Sequence, residues 1–334
     1  MKLATLGTDG RDGKLVVVDK DFSHGVTVPE IAGTLQAALD DWATLAPELA
    51  SIYRLLNQGE QPRAFALDAT AFAAPLPRAY QFLDGSAYSA HLARVRGASP
   101  ETPAATLERQ EPVLYQGCSH GFLGPREPLR AGGGDLGLDF EAEIAVVTDD
   151  VPVGVSAREA AGHIRLVMLI NDVSLRRLIP DDLATGFGFL QGKPPSAAAP
   201  VAVTPAELGA SWVDGRLRAH LAVSINDRPF AALETGEDMA FDFAALIAHA
   251  ARTRPLCAGT IIGGGTVANR DAGRGFACIL EKRALEKAET GRAATPFLAP
   301  GDRIRIEALD GRGRSLFGAI EQPVASGWRR SLEG

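Results

Sequence analysis

Two acidic side chains pose the first chemical question. Glu141 and Glu143 stand two residues apart in Asp139-Phe140-Glu141-Ala142-Glu143-Ile144-Ala145-Val146-Val147. Phe140, Ala142, Ile144 and Val146 alternate, which predicts a β-strand with these four on one face. Both glutamates then share the other face with Val147. Like charges placed side by side repel. A hard divalent cation between them removes that cost, because Mg²⁺, Mn²⁺ and Ca²⁺ prefer oxygen ligands. The plain alternative is a solvated strand face, and the strand alone does not decide.

Further polar residues have the right types to join such a site. Asp172 follows the apolar run 164–170 and opens Asn171-Asp172-Val173-Ser174-Leu175-Arg176-Arg177. An acid there suits a metal ligand or a helix N-cap. Lys193, held between Gly192 and Pro194, has little local freedom; its bland alternative is a solvated loop lysine. His91 comes seven residues after Asp84, and a lone histidine is more often structural. Glu281-Lys282-Arg283 reads as the first turn of a helix, where the dipole favours acids. Gly264-Gly265-Thr266 reads as a tight turn, or as N–H groups and a hydroxyl approaching an anion. Tyr115 carries no signal of its own. The residues by themselves offer a candidate three-carboxylate oxygen site.

The elements that must position these residues are mostly short strands. Runs 2–7 and 14–19 flank Thr8-Asp9-Gly10-Arg11-Asp12-Gly13 and predict a hairpin. Residues 29–58 carry two apolar helical stripes, and Pro47 is expected to split them. A small N-terminal α+β unit, 1–72, follows from these. Residues 73–112 read as a linker and the start of the catalytic region, with a helix over about Leu83 to Arg96 and a polar loop over 97–112. The main domain is 113–334. Within it, Ser156-Ala157-Arg158-Glu159 fits a capping box, and 164–170 suits a buried strand. A hairpin turns at Asn226-Asp227, and 241–251 reads as a helix. Cys278 to Leu280 extends a strand. Runs 303–309 and 316–320 close as a hairpin. Many short strands and few helices give an α+β, mainly β and mainly antiparallel fold.

Bulk properties narrow the function classes. The 334 residues suffice for one large or two ordinary domains, and 46% apolar content is ordinary for a soluble protein. A net charge of −7, with no basic cluster, argues against a nucleic-acid partner. Cys118, Cys257 and Cys278 show no metal-binding or redox spacing, which points to a reducing compartment. No apolar run approaches the roughly 20 residues of a membrane span. A cytoplasmic protein with no membrane partner is expected.

Order adds what no single motif supplies. Asp84 with His91, Tyr115-Gln116-Gly117, Asp139-x-Glu141-x-Glu143, Asn171-Asp172-x-Ser174-x-Arg176, Gly192-Lys193 and Gly265-Thr266-Val267 resemble the fumarylacetoacetate hydrolase family over roughly 84–281. The spacing of Asp84 and His91 points toward fumarylacetoacetases proper. The resemblance implies a mixed β-roll domain preceded by a small N-terminal domain, and a homodimer. It implies that Asp84, Glu141, Glu143 and Asp172 bind one divalent metal (Mg²⁺, Ca²⁺ or Mn²⁺). His91 and Glu281 would activate water. Arg176, Lys193, Thr266 and Tyr115 would contact a small diketo acid, with Lys193 also helping to protonate the leaving carbon. The implied reaction is hydrolytic C–C cleavage; relatives also cleave acylpyruvates, decarboxylate oxaloacetate, or hydrate and isomerise dienoates. A non-catalytic metal- or ligand-binding protein is the alternative of another class. Three departures bear on substrate recognition. The family's glutamine three positions after the arginine is Ile179, the tyrosine two after the first aspartate is Ser86, and Gly-Lys continues as Pro194-Pro195-Ser196.

Overall fold

The computed structural model describes residues 1–7, 10–95 and 111–328. Thr8 and Asp9 of the first predicted turn, and most of the predicted loop over 97–112, lie outside them.

The acidic strand is central, which explains the burial of its charges. It runs Ala142–Thr148, with Glu141 one residue before it. It pairs antiparallel with Ile164–Asn171 on one side and Thr260–Gly263 on the other. These belong to an 11-stranded sheet. Thr260–Gly263 runs parallel to Gln81–Gly85, which carries Asp84, and Leu114–Gln116 pairs beyond it with Tyr115 opposite Asp84. At the other end, Lys2–Leu6 pairs with Val201–Val203, so the N-terminal hairpin continues the same sheet. A second sheet of five strands contains the hairpin His220–Ile225 and Arg228–Glu234. That hairpin turns at Asn226 and Asp227, whose φ values of 52° and 63° suit the tight turn.

Both faces of the acidic strand are covered. Ala142, Ile144 and Val146 share a core with Leu221, Ile304, Ile306 and Phe317 of the second-sheet region. Ala145 and Val147 share another core with Leu35, Leu39, Leu49 and Leu56 of the N-terminal helices. Glu141 and Glu143 are 5% and 0% exposed, so the solvated-face alternative is ruled out. A strand buried on both faces reads as a near-continuous apolar run, and the two glutamates interrupt it at one end only.

Four local expectations need correction. The helical pair is Leu35–Asp40 and Trp42–Gln58, so the break falls at Asp41 and Pro47 lies inside the second helix. Pro47 is the sixth residue of that helix, past the first-turn N–H groups that lack intrahelical partners, and the helix runs through it at the loss of one backbone hydrogen bond. Asp84 sits on a strand, and the helix of that region is Ser89–Val95. Cys278 precedes a helix, Ile279–Thr290, rather than extending a strand. The final strand is Ile320–Ala325, paired with Arg303–Leu309, so 316–319 belongs to the connection. The capping box at Ser156 and Glu159 forms as the spacing predicts.

Candidate active site

Three carboxylates meet at the edge of the central strands. Asp84, Glu143 and Asp172 each offer an oxygen, all within 4.8 Å of one another, and all three residues are buried. Asp84 and Glu143 come from strands that flank Thr260–Gly263, so Gly263 lies between them. A Cβ on Gly263 would stand 2.1 Å from Asp84 Oδ1 and 3.2 Å from Glu143 Oε2. The missing side chain makes room for the two carboxylates. Gly265 N donates to Glu143 Oε2 at 3.2 Å, and Thr266 is buried directly after it. At φ +84° with a would-be Cβ 2.4 Å from Gly85 O, position 265 requires glycine.

Glu141 takes a different role from its neighbour. Arg176 Nη2 donates to its Oε1 at 2.6 Å, and Lys193 Nζ donates to its Oε2 at 2.6 Å. Lys193 also donates to Asp172 Oδ2 at 2.5 Å, so one ammonium joins the two acids. Tyr115 Oη and Ser196 Oγ donate to Asp172 as well, at 2.5 and 2.6 Å. The fourth expected ligand is therefore paired with cationic side chains, while Asp84 Oδ1 and Glu143 Oε1 are buried without a hydrogen-bond partner.

The electrostatics follow from that division. Burial, and then the charge of Asp172, pushes Asp84 up to about 8. Burial, then Asp84 and Asp172, raises Glu143 well above the carboxylate range. Burial would raise Glu141 too, but Arg176 and Lys193 outweigh it and hold it low. Burial would strip Lys193 of its proton, but Asp172 and Glu141 hold it charged. Buried polar atoms are nearly always partnered, so two orphaned carboxylate oxygens point to a ligand. An all-oxygen trio with unpartnered atoms fits a hard divalent cation.

A second group lies alongside. His91, on Ser89–Val95, places Nδ1 3.3 Å from Oε2 of the fully buried Glu281. With the proton on Nδ1, the Nε2 lone pair is left free to act as a base. His91 also helps hold Glu141 low, which puts it within electrostatic reach of that glutamate. Arg94, one turn after His91, grips Glu281 Oε1 and donates to the carbonyls of Asn269 and Arg270 at 2.6 and 2.9 Å.

Asp139 fixes the helix that carries Glu281. The N-cap residue Cys278 makes no side-chain cap. Asp139 instead accepts from Ile279 N and Leu280 N at 2.8 and 2.9 Å, from a distant part of the chain. It also accepts from Arg176 Nε at 2.8 Å. One buried carboxylate thus ties the helix start to Arg176, which in turn holds Glu141.

Asp139, Arg94, Ser196 and Gly263 were not among the residues singled out from sequence. Asp139 opens the acidic motif itself, and Ser196 stands at the departure after Gly192-Lys193, so both lay beside visible signals. Nothing local marks Arg94 as a partner of Glu281. Asn171 Oδ1 accepts from Glu141 N at 3.1 Å, so the residue before Asp172 orients the backbone of the acid.

Comparison with known proteins agrees with this architecture. Residues 81–325 match the family model described as fumarylacetoacetate (FAA) hydrolase C-terminal, and residues 1–78 match fumarylacetoacetase N-terminal domain 2. No curated protein matches the chain. A probable 2-hydroxyhepta-2,4-diene-1,7-dioate isomerase from Mycobacterium abscessus is 21% identical with a TM-score of 0.66, over 98% of this chain and 100% of that one. Maleylpyruvate hydrolase from Sphingobium, in complex with manganese(II) and pyruvate, is 17% identical with a TM-score of 0.63, over 98% and 100%. A fumarylacetoacetate hydrolase from psychrophilic Exiguobacterium antarcticum is 19% identical with a TM-score of 0.66, over 98% and 99%. At these identities the likeness is one of fold. Among the described residues no helix is long and apolar enough to cross a membrane.

Proposed function

We propose that this chain, which belongs to the fumarylacetoacetate hydrolase family, is a metal-dependent hydrolase cleaving a C–C bond in a β-diketone acid. Fumarylacetoacetate, split to fumarate and acetoacetate in tyrosine or other aromatic breakdown, is the favoured substrate. One observation carries the reading. His91 and Glu281, 190 residues apart in sequence, meet at 3.3 Å, with His91 within electrostatic reach of Glu141. A purely structural metal site has no use for such a pair.

Asp84, Glu143 and Asp172 would hold the cation. Mg²⁺, Mn²⁺ and Ca²⁺ suit this donor set, and zinc does not. Glu141 joins it only by giving up an ion pair. When bound, the cation supplies a Lewis acid for the diketone oxygens. Glu281 orients His91, and His91 takes a proton from water. The water oxygen bonds to the ketone carbon, and the adjacent C–C bond breaks. Lys193 offsets charge on the departing enolate and returns a proton to its carbon. Arg176, Tyr115 and Thr266 contact the substrate, Arg176 after loosening its grip on Glu141. The working unit is a cytoplasmic homodimer.

A second reading keeps the apparatus and changes the substrate to an acylpyruvate. Its support is Ile179, an apolar residue where a glutamine contact is expected, together with the fold likeness to a maleylpyruvate hydrolase. NMR product analysis separates the readings. Fumarylacetoacetate, fumarylpyruvate, other acylpyruvates, oxaloacetate and a dienoate are each incubated with and without Mg²⁺. Two acids released from a diketone, only with metal, is the expected result. Decarboxylation or isomerisation alone would overturn the hydrolase assignment. Metal-dependent melting with no turnover would favour a binding protein.

A further inference from the structure

A second donor cluster lies apart from the carboxylate trio and differs from it in chemistry. A ring nitrogen of His91, the sulfur of Cys278 and a carboxylate oxygen of Glu281 lie within 4.8 Å of one another. Cys278 and Glu281 are fully buried, and His91 is half-buried. The three come from two packed helices: His91 from Ser89–Val95, Glu281 from Ile279–Thr290, and Cys278 from the residue before the latter. Asp139 pins the start of the second helix through Ile279 N and Leu280 N, so Cys278 and Glu281 are held in place. Arg94 occupies Glu281 Oε1 and leaves Oε2 facing His91.

Burial, and then the charge of Asp139, raises the Cys278 thiol well above its usual range, so a cation binds it by displacing its proton to water. Nitrogen, the resulting thiolate and one carboxylate make a borderline-soft donor set. Such sets favour Zn²⁺, Cd²⁺ or Co²⁺ over the hard cations that suit three carboxylates. Three protein donors leave a fourth tetrahedral position for water, the arrangement of an open zinc-type site. The two clusters share no residue.

We propose that His91, Cys278 and Glu281 form a second site, for a thiophilic divalent cation, whose occupation inhibits the enzyme. A cation there takes the place of the proton between His91 and Glu281 and of the Cys278 thiol proton, both released to water, and locks the imidazole. The Arg94 charge opposes the cation, which makes capture reversible rather than permanent. The inhibitory consequence rests on the reading of His91 and Glu281 as the water-activating pair. The binding does not.

The full-length chain saturated with Mg²⁺ is titrated with Cd²⁺, following thiolate-to-cadmium ultraviolet absorption and turnover together. Cys278→Ala and Cys278→Ser are run beside it, each scaled to its own uninhibited rate. Cys118 and Cys257 lie nearer the solvent and remain in both variants, so they report unspecific thiol binding. The wild-type chain is expected to gain the absorption and lose turnover, both changes reversed by a chelator followed by Mg²⁺. The variants are expected to lack the Cys278-dependent absorption and to need about tenfold or more Cd²⁺ for the same inhibition. No absorption, or the same absorption in Cys278→Ala, overturns the site and leaves the hydrolytic reading standing. Equal inhibition of wild type and variants overturns it too, by placing the effect at the carboxylates. Cys278-dependent absorption with turnover undiminished keeps the binding but overturns its inhibitory role, and the water-activating reading with it.

Discussion

Glu141 and Glu143 look equivalent on paper and are not equivalent in the fold. Glu141 is neutralised by Arg176 and Lys193, whereas Glu143 faces Asp84 and Asp172 with an oxygen unpartnered. Calorimetric titration with Mn²⁺ should therefore show Glu143→Gln losing more affinity than Glu141→Gln, by about tenfold or more. Equal losses would place the cation between the two glutamates. The raised acids also make a pH prediction. Asp84 moves from 3.8 to about 8 on folding without metal, so its contribution to stability is fully present below pH 3.8 and is lost as pH rises through about 8. Glu143 shifts in the same direction. Chelated protein should thus lose melting temperature as pH rises from about 6 toward 8, and added Mg²⁺ should restore more of it at pH 8 than at pH 6. A Mg²⁺ effect independent of pH would contradict this. The chemistry of these side chains was legible in the sequence: an acidic pair on a strand, and an acid after an apolar run. Their division of labour was not, because it depends on which acids Lys193 and Arg176 reach.

At the level of elements, the helix Ile279–Thr290 is held by a residue outside it. Asp139 satisfies two N–H groups at its start and pairs with Arg176. Removing one partner of a buried ion pair typically costs about 3–5 kcal/mol. Asp139→Ala should destabilise the chain by about that amount in urea unfolding. Asp139→Asn keeps an acceptor oxygen and should cost less, while lowering kcat more than it raises KM, because Glu281 loses its fixed position. Unchanged kcat in Asp139→Asn would detach the cap from catalysis. Sequence reading placed Glu281 in a helix's first turn and also extended a strand through Leu280; the helix is what forms. The capping rule looks for Ser, Thr, Asp or Asn beside the helix, and here the cap arrives from 140 residues away. Local elements with local signals, such as the capping box at Ser156 and the turn at Asn226-Asp227, formed where their residues said they would. Pro47 misled because the loss of one backbone hydrogen bond does not end a helix whose Leu49, Tyr53 and Leu56 are buried in the core.

The whole molecule shares one sheet between its N-terminal segment and the site. Lys2–Leu6 pairs with Val201–Val203, and the N-terminal helices cover Ala145 and Val147 of the acidic strand. A hairpin and a helical pair in sequence suggested a separable unit over 1–72, and both elements exist. Their attachment is a long-range pairing that no local pattern announces. Differential scanning calorimetry should show one transition for the full chain, and a chain lacking residues 1–72 should fail to fold, since it exposes the apolar face of the sheet. Two separate transitions would mean the units fold independently. The site belongs to the same organisation. The sheet aligns Asp84 and Glu143 across Gly263, the packed helices deliver His91 to Glu281, and His91 stands within electrostatic reach of Glu141. The central claim is that this junction activates water against a carbon–carbon bond. Turnover of the diketo acid in oxygen-18-labelled water, with Mg²⁺, tests it most directly by mass spectrometry of the products. One labelled oxygen in the carboxylate of the released acid is predicted for the wild-type chain, with His91→Ala still binding metal but losing turnover. Products without the label, or labelled products formed at full rate by His91→Ala, would contradict it.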